Sequence, residues 1–302
     1  MSLLTANRRF VALLLLAIAC TLLVGSCSHE KEPAGRKPPP ASRDFAGEAR
    51  RLKETLGGDF IVEVAKPFVI AGDIPRPQFD RIVNGTILNC SSALYKQFFT
   101  VRPEHVIKVF LFKDDPTYRE YARKLFGDRP TTPFGYYKAE EHSLVMNIAT
   151  GTGTLVHEMV HALIAPDFPQ VPTWFNEGLA SLFEQCAVTP HGLKGRLNWR
   201  LPILLRAIKE KKLTGLRNLV STTSAQFYGD ARGTNYAEAR YFCMYMQELG
   251  LLEKFYATFR ANFKEDPTGG KTIEGLFGKK IEEIQQDWTA WVERLPPYRV
   301  NR

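Results

Sequence analysis

Apolar positions fall in short alternating or continuous runs over the first half of the chain and at helical spacing over the second. Val106-Ile107-Lys108-Val109-Phe110-Leu111-Phe112 is the strongest strand signal, a β-branched and aromatic run too short for a helix. Phe60-Ile61-Val62-Glu63-Val64 and Phe68-Val69-Ile70 predict two further strands around a turn near Pro67. A helix is expected from Pro77 to Phe99, with Phe79, Ile82, Val83, Leu88, Leu94, Tyr95 and Phe98 on its apolar side. Asp114-Asp115-Pro116 reads as the cap and first turn of a helix running to about Phe126. Gly135-Tyr136-Tyr137-Lys138 and Ser143-Leu144-Val145-Met146-Asn147 can pair as a hairpin across Glu140-Glu141. Beyond them Leu155, Val156, Met159, Val160, Leu163 and Ile164 supply helical contacts up to Pro166, with Thr152 or Thr154 as the cap. Pro172 and Thr173 start another helix, and Asn235 to Tyr241 open an apolar one carrying Phe242, Met244, Tyr245 and Met246. A small mixed sheet followed by helices is an α+β pattern.

The N-terminus has a different character. Arg8 and Arg9 precede an apolar run from Phe10 to Val24, about 15 residues against the roughly 20 of a stable membrane span. Gly25, Ser26 and Cys27 follow. Residues 1–27 therefore read as an export signal. Val24-Gly25-Ser26-Cys27 also resembles a bacterial lipobox, in which the cysteine is acylated and becomes the new N-terminus; a plain cleaved signal is the alternative. Residues 28–43 are polar and proline-rich, including Pro38-Pro39-Pro40, and read as an extended tether. The folded domain is expected over 44–302. The resemblance places the protein outside the cytoplasm, on the bacterial cell envelope, held to the membrane by lipid at Cys27. Ser28 after the cysteine, where Asp is the alternative, points to the outer membrane.

Composition bounds the remaining possibilities. Hydrophobic residues make up 44% of the 302 residues and charged residues 24%, enough to bury a core. The net charge of +8 includes Arg8, Arg9, Lys31, Arg36, Lys37 and Arg43, all ahead of the folded part. The remaining surplus is a solvated surface, with no RNA-binding signature, so no nucleic-acid partner is expected. Of five cysteines, Cys20 falls in the signal and Cys27 in the box, leaving Cys90, Cys186 and Cys243. None has the close pairing of a thiolate metal site. Cys186 and Cys243 are expected on helices, in apolar surroundings. At most one disulfide can form among the three.

His157-Glu158-Met159-Val160-His161 carries the chemistry. Residues four apart share a helix face, so the two imidazoles can hold one metal ion while Glu158, one step round, reaches a water on it. The chain has only 6 histidines, which makes this spacing hard to obtain by chance. Zinc suits such ligands, and a catalytic zinc takes three from the protein. The third is expected from Glu177, in the first turns of the helix begun at Pro172, which can return antiparallel to the histidine helix. Ser181 and Glu184, further along, can each orient a ligand histidine through its second nitrogen. His105, His142 and His191 lack ligand spacing and read as surface or structural.

The two motifs together resemble the gluzincins, zinc peptidases with a glutamate third ligand. Asn176-Glu177-Gly178-Leu179-Ala180-Ser181 is similar to the glutamate motif of that clan's aminopeptidases and of bacterial peptidase-MA-like domains. The resemblance covers most of the chain from about Phe60 and implies a zincin-like fold with the metal between two helices. It also implies a role for Tyr236, which matches the tyrosine that stabilises the oxyanion in the clan; Tyr241 is the reserve. Two features depart from the aminopeptidases. The spacing from His161 to Glu177 is shorter, and Ser143 to Asn147 lacks the acidic residue of their amine-binding strand.

The resulting expectation is a zinc-dependent hydrolase acting on a peptide or protein substrate. Zinc acidifies its water, Glu158 acts as general base and then returns the proton to the leaving amine, and zinc with Tyr236 holds the oxyanion. The alternative is a zinc-containing binding or scaffolding module of the envelope without turnover. An intact Glu158 argues against it, because metal binding alone needs no base there.

Overall fold

The computed structural model describes residues 43–299; the expected signal, Cys27 and the tether up to residue 42 lie outside the described residues. The chain opens with α1 (Phe45–Leu56), whose cap Asp44 accepts from the Gly47 N–H at 2.8 Å. This helix was not anticipated from the sequence. β1 (Ile61–Ala65) and β2 (Phe68–Gly72) are antiparallel around Lys66-Pro67. Next come α2 (Arg76–Asp80), a π-helical segment (Arg81–Leu88) and α3 (Asn89–Gln97). They fill the span of the single predicted helix, with wider turns in the middle. Ile87, outside the predicted apolar side, is buried there together with Ile82 and Val83.

β3 (Ile107–Phe112) leads to α4 (Asp115–Phe126), which has the expected cap: Asp114 accepts from the Thr117 N–H at 2.9 Å. Gly127 ends α4 in the left-handed region that glycine tolerates. β4 (Gly135–Lys138) and β5 (Ser143–Asn147) form the predicted hairpin, Tyr137 opposite Leu144. The sheet order is β1-β2-β3-β5-β4, with β2, β3 and β5 parallel and both edges antiparallel.

Side chains alternate across the sheet. Ile70, Val109, Leu111, Leu144 and Met146 join the large core under the helices that follow, while Val69, Phe110, Phe112 and Val145 pack against α1 and α4. The helical half holds α5 (Gly153–Ile164), α6 (Thr173–Phe183), α7 (Leu201–Lys209), α8 (Leu216–Leu219) and α9 (Ser224–Phe227). It continues with α10 (Arg232–Glu248), α11 (Leu252–Ala261), α12 (Gly270–Phe277) and α13 (Ile281–Glu293). The α+β expectation is met at this level. One local expectation is corrected: Cys186 is on a strand, not a helix. It opens β6 (Cys186–Thr189), which pairs with β7 (Gly192–Gly195) in a ribbon after α6. The turn signal was Pro190-His191-Gly192, where Gly192 has φ of 129°.

Two glycines set how closely the site helices approach. A Cβ at Gly153 would lie 2.6 Å from the Glu184 carbonyl oxygen, so the start of α5 abuts the end of α6. A Cβ at Gly178 would lie 2.9 Å from the Ala239 carbonyl oxygen and 3.0 Å from Cys243 Sγ. Small residues at those points let α5, α6 and α10 converge.

Candidate metal centre

The pitch of α5 brings His157 and His161 onto one face, their Nε2 atoms 3.0 Å apart. α6 packs against α5 and presents Glu177, whose Oε2 is 3.3 Å from His157 Nε2 and 3.5 Å from His161 Nε2. His157 and Glu177 are buried, and the His161 side chain is 11% exposed. Glu177 Oε2 is buried and makes no hydrogen bond. The ligand atoms of the three residues all lie within 4.8 Å of one another, a group that can hold a metal ion. Two imidazole nitrogens and a carboxylate oxygen converging at this spacing fit a divalent cation of zinc type.

Each ligand is held from behind. His161 Nδ1 is 2.9 Å from Asn176 Oδ1, an acceptor that suits the tautomer with its proton on Nδ1 and Nε2 turned to the centre. His157 Nδ1 is 3.2 Å from Glu184 Oε1. Glu184 in turn accepts from Arg200 Nη2 at 2.8 Å, and its other oxygen accepts from Arg200 Nε and Asn198 Nδ2, both at 3.3 Å. The Tyr228 hydroxyl donates to Glu177 Oε1 at 2.6 Å, leaving Oε2 for the centre. Of the two residues expected to orient a histidine, Glu184 does so. The buried Ser181 hydroxyl makes no hydrogen bond, while its carbonyl accepts from Arg240 Nε.

Electrostatics follow from this packing. Burial alone would raise the Glu177 carboxyl, but His161 and His157 hold it well below the carboxylate range. Burial disfavours a charged His161, and the Glu177 carboxylate outweighs it, so His161 is raised. Glu184, also working against burial, is pulled down to about 2 by Arg200 and His157. The buried Glu177 carboxylate thus favours positive charge at the centre.

A cleft of about 900 Å³ opens beside the centre, lined by His157, Glu158 and Tyr236. Gly85 and Thr86 of the π-helical segment form part of its wall, as do Thr132, Gly135 and the turn Gly151-Thr152-Gly153. Glu158 is buried on α5 next to His157. Tyr236 is 5% exposed, packs on Phe227 and Tyr228, and lies under the Arg200 guanidinium, 4.8 Å from its ring centre. Tyr241, the reserve candidate, does not line the cleft; it accepts from Asn198 N and donates to Asn198 O. His105 and His142 stack on each other with ring centres 3.4 Å apart, and His191 is exposed on the ribbon turn. Neither they nor any other described residue joins the three-residue group.

Sequence reasoning missed Asn176, Tyr228, Asn198 and Arg200. Asn176 adjoins Glu177 within the quoted motif, so a signal for it was present. Tyr228, Asn198 and Arg200 sit in turns and helix starts with no spacing to mark them. Comparison with known protein families finds no model that matches the chain, and the curated proteins hold no match to it. Fold and site define a mixed α+β protein with a buried His-His-Glu group that can hold a metal ion, open to a cleft.

Proposed function

We propose that this protein is a zinc-dependent hydrolase acting on peptide bonds, a gluzincin-like enzyme with a zincin-like fold in the manner of peptidase-MA-like domains. The observation that carries the reading is the convergence of His157, His161 and Glu177 beside a cleft lined by His157, Glu158 and Tyr236. A zinc ion held there would supply Lewis acidity, lowering the pKa of water and polarising a carbonyl. Glu158 takes the proton from the attacking water and delivers it to the leaving nitrogen. Tyr236 donates its hydroxyl proton in a hydrogen bond to the carbonyl oxygen as charge builds there. Glu184, Asn176 and Tyr228 keep the ligand atoms aimed.

Peptide as substrate is supported by the cleft's rim. Phe134, Val188 and Trp199 are exposed large hydrophobic residues, and all three line it. Such side chains favour the apolar side chains of an unfolded or extended polypeptide. The export signal and lipobox resemblance of residues 1–27 support an envelope location with lipid at Cys27.

The experiment pairs metal content with turnover. Protein purified without added zinc should carry about one zinc per chain, and His161→Ala should lose most of it. Glu158→Gln should keep zinc and fold, with hydrolysis of peptide substrates falling roughly a hundredfold or more. Full zinc in His161→Ala would mean the ligand set is wrong. Normal turnover in zinc-loaded Glu158→Gln would remove Glu158 as the base. Zinc in wild type with no difference from Glu158→Gln across peptide libraries would favour the binding-module reading.

A further inference from the structure

One cation on the cleft wall has a donor to spare. Among the described residues, Arg200 is the one lysine or arginine that lines the cleft, and it is 6% exposed. Its Nε and Nη2 edge is taken by the two oxygens of Glu184, at 3.3 and 2.8 Å. Nη1, on the other edge of the planar group, is buried and makes no hydrogen bond. Leaving a buried guanidinium donor without a partner is costly, and it marks a place for an acceptor. The Arg200 Cζ lies 4.1 Å from the ring centre of Trp199 and 4.8 Å from that of Tyr236, and both rings line the cleft. Trp199 is 42% exposed on the rim, so an acceptor reaches Nη1 by turning that ring aside.

The same stretch of wall carries a second positive end. Gly151 to Thr154 line the cleft where α5 begins at Gly153. The cap residue Thr152 makes no side-chain cap hydrogen bond, and the first turn holds no acidic residue. The N–H groups of that turn and the helix dipole are therefore left for an anion. The close approach of Gly153 to the Glu184 carbonyl brings this turn beside the residue that holds Arg200. Glu184 also touches His157, so Arg200 stands one side chain removed from the metal group.

We propose that this part of the cleft is a carboxylate subsite, in which Arg200 Nη1 and the first turn of α5 receive a carboxylate of the peptide substrate. The assignment rests on the hydrolase reading above for the substrate being a peptide. An extended chain advances about 3.3–3.6 Å per residue, and a single side chain separates Arg200 from His157. The carboxylate therefore belongs within about three residues of the scissile bond. Two parts of a peptide offer it, the C-terminal carboxylate and the side chain of Asp or Glu. A guanidinium edge takes either in the same planar geometry. Neighbouring apolar side chains of the substrate then meet Phe134 and Val188 on the rim.

The test uses the full chain loaded with zinc and two sets of N-acetylated random peptides. In the first set the same sequences end in a free acid or in an amide. In the second, amidated peptides carry Asp and Glu, or Asn and Gln in their place. Cleavage sites and rates are read by mass spectrometry. Charge-assisted hydrogen bonds should give the carboxylate members of one set a kcat/KM about ten- to a hundredfold higher. Preference in the first set, with cleavage near the C-terminus, identifies the terminal carboxylate; preference in the second identifies the side chain. Arg200→Gln should bring the ratio of acid to neutral peptides near one, whatever it does to the absolute rate, and Arg200→Lys, the milder change, should lower it. Retention of the same peptides on immobilised, zinc-loaded Glu158→Gln should show the same preference without turnover. Cleavage by wild type with no preference overturns the subsite and leaves the hydrolase. Retention of the acids by wild type, lost in Arg200→Lys, with no cleavage at all overturns the hydrolase and keeps the subsite. Acid and neutral peptides treated alike in both measurements, or a preference that survives both Arg200 variants, would overturn the proposal.

Discussion

Glu184 illustrates how a residue outside the ligand set governs the centre. It touches His157 Nδ1 with one oxygen and is held through both by Arg200, itself 6% exposed. In the proposed zinc site its negative charge would make the imidazole a better ligand and fix which nitrogen carries the proton. Glu184→Gln keeps the length and one acceptor but removes the charge. Zinc affinity, read by competition with a chromophoric chelator, should fall about ten- to a hundredfold, with the helical circular dichroism retained. An affinity equal to wild type would mean that His157 is oriented by packing alone. Asn176 faces His161 with a neutral group and should matter less, because hydrogen bonds to charged partners are the stronger ones.

Among the helices, α10 is the one on which the site rests. It runs buried through the helical half and packs on α6 at Gly178, so the position of Glu177 depends on it. It also carries Glu238, fully buried, whose two oxygens accept from the N–H groups of Thr214 and Gly215 at 2.7 and 3.0 Å. These bonds tie α10 to the turn before α8. Burial outweighs them and pushes the Glu238 carboxyl up to about 7. The folded state therefore binds a proton more tightly than the unfolded chain. The stabilisation is complete below the ordinary carboxyl value near 4.5 and is lost as pH rises through about 7. The loss across that window is of the order of 3 kcal/mol. Glu238→Gln cannot titrate, so its urea-unfolding free energy should lack this decline between pH 4.5 and 7. An unchanged slope in the variant would assign the pH dependence to other groups.

At the scale of the whole molecule, the parallel centre of the sheet and the helical half meet along the cleft, with the metal group on the helical side. The predicted lipid anchor lies outside the described residues, and among those described no helix is long and apolar enough to cross a membrane. The proposed lipid attachment depends on Cys27, and the proposed export on residues 1–27 as a whole. Cys27→Ser should release the protein to the soluble fraction or block its maturation, read by membrane partition and the mass of the processed N-terminus. Unchanged partition and unchanged mass would leave an export signal without a lipid.

The histidine pair and Glu177 were legible in the sequence because helix pitch alone places residues four apart on one face. A glutamate early in the next helix needs only a tight return to reach them. The strands β1 to β5 were legible for a similar local reason: short apolar, β-branched and aromatic runs, buried at every position in β2 and β5, leave their mark within a few residues. Other features needed the fold. α1 carries a short apolar stripe next to a polar tether, and the β6–β7 ribbon has only four residues a side, so neither wrote a long pattern. The widening of the helix at Arg81 to Leu88 leaves the apolar spacing nearly unchanged, although it sets Gly85 and Thr86 on the cleft wall. Tyr228 meets Glu177 across 51 residues, and Arg200 meets Glu184 across 16. Local propensity set the ligands' spacing; the packing of α5, α6 and α10 through their small residues decided which distant side chains hold them, because such contacts depend on how elements dock and not on the residues beside them in the chain.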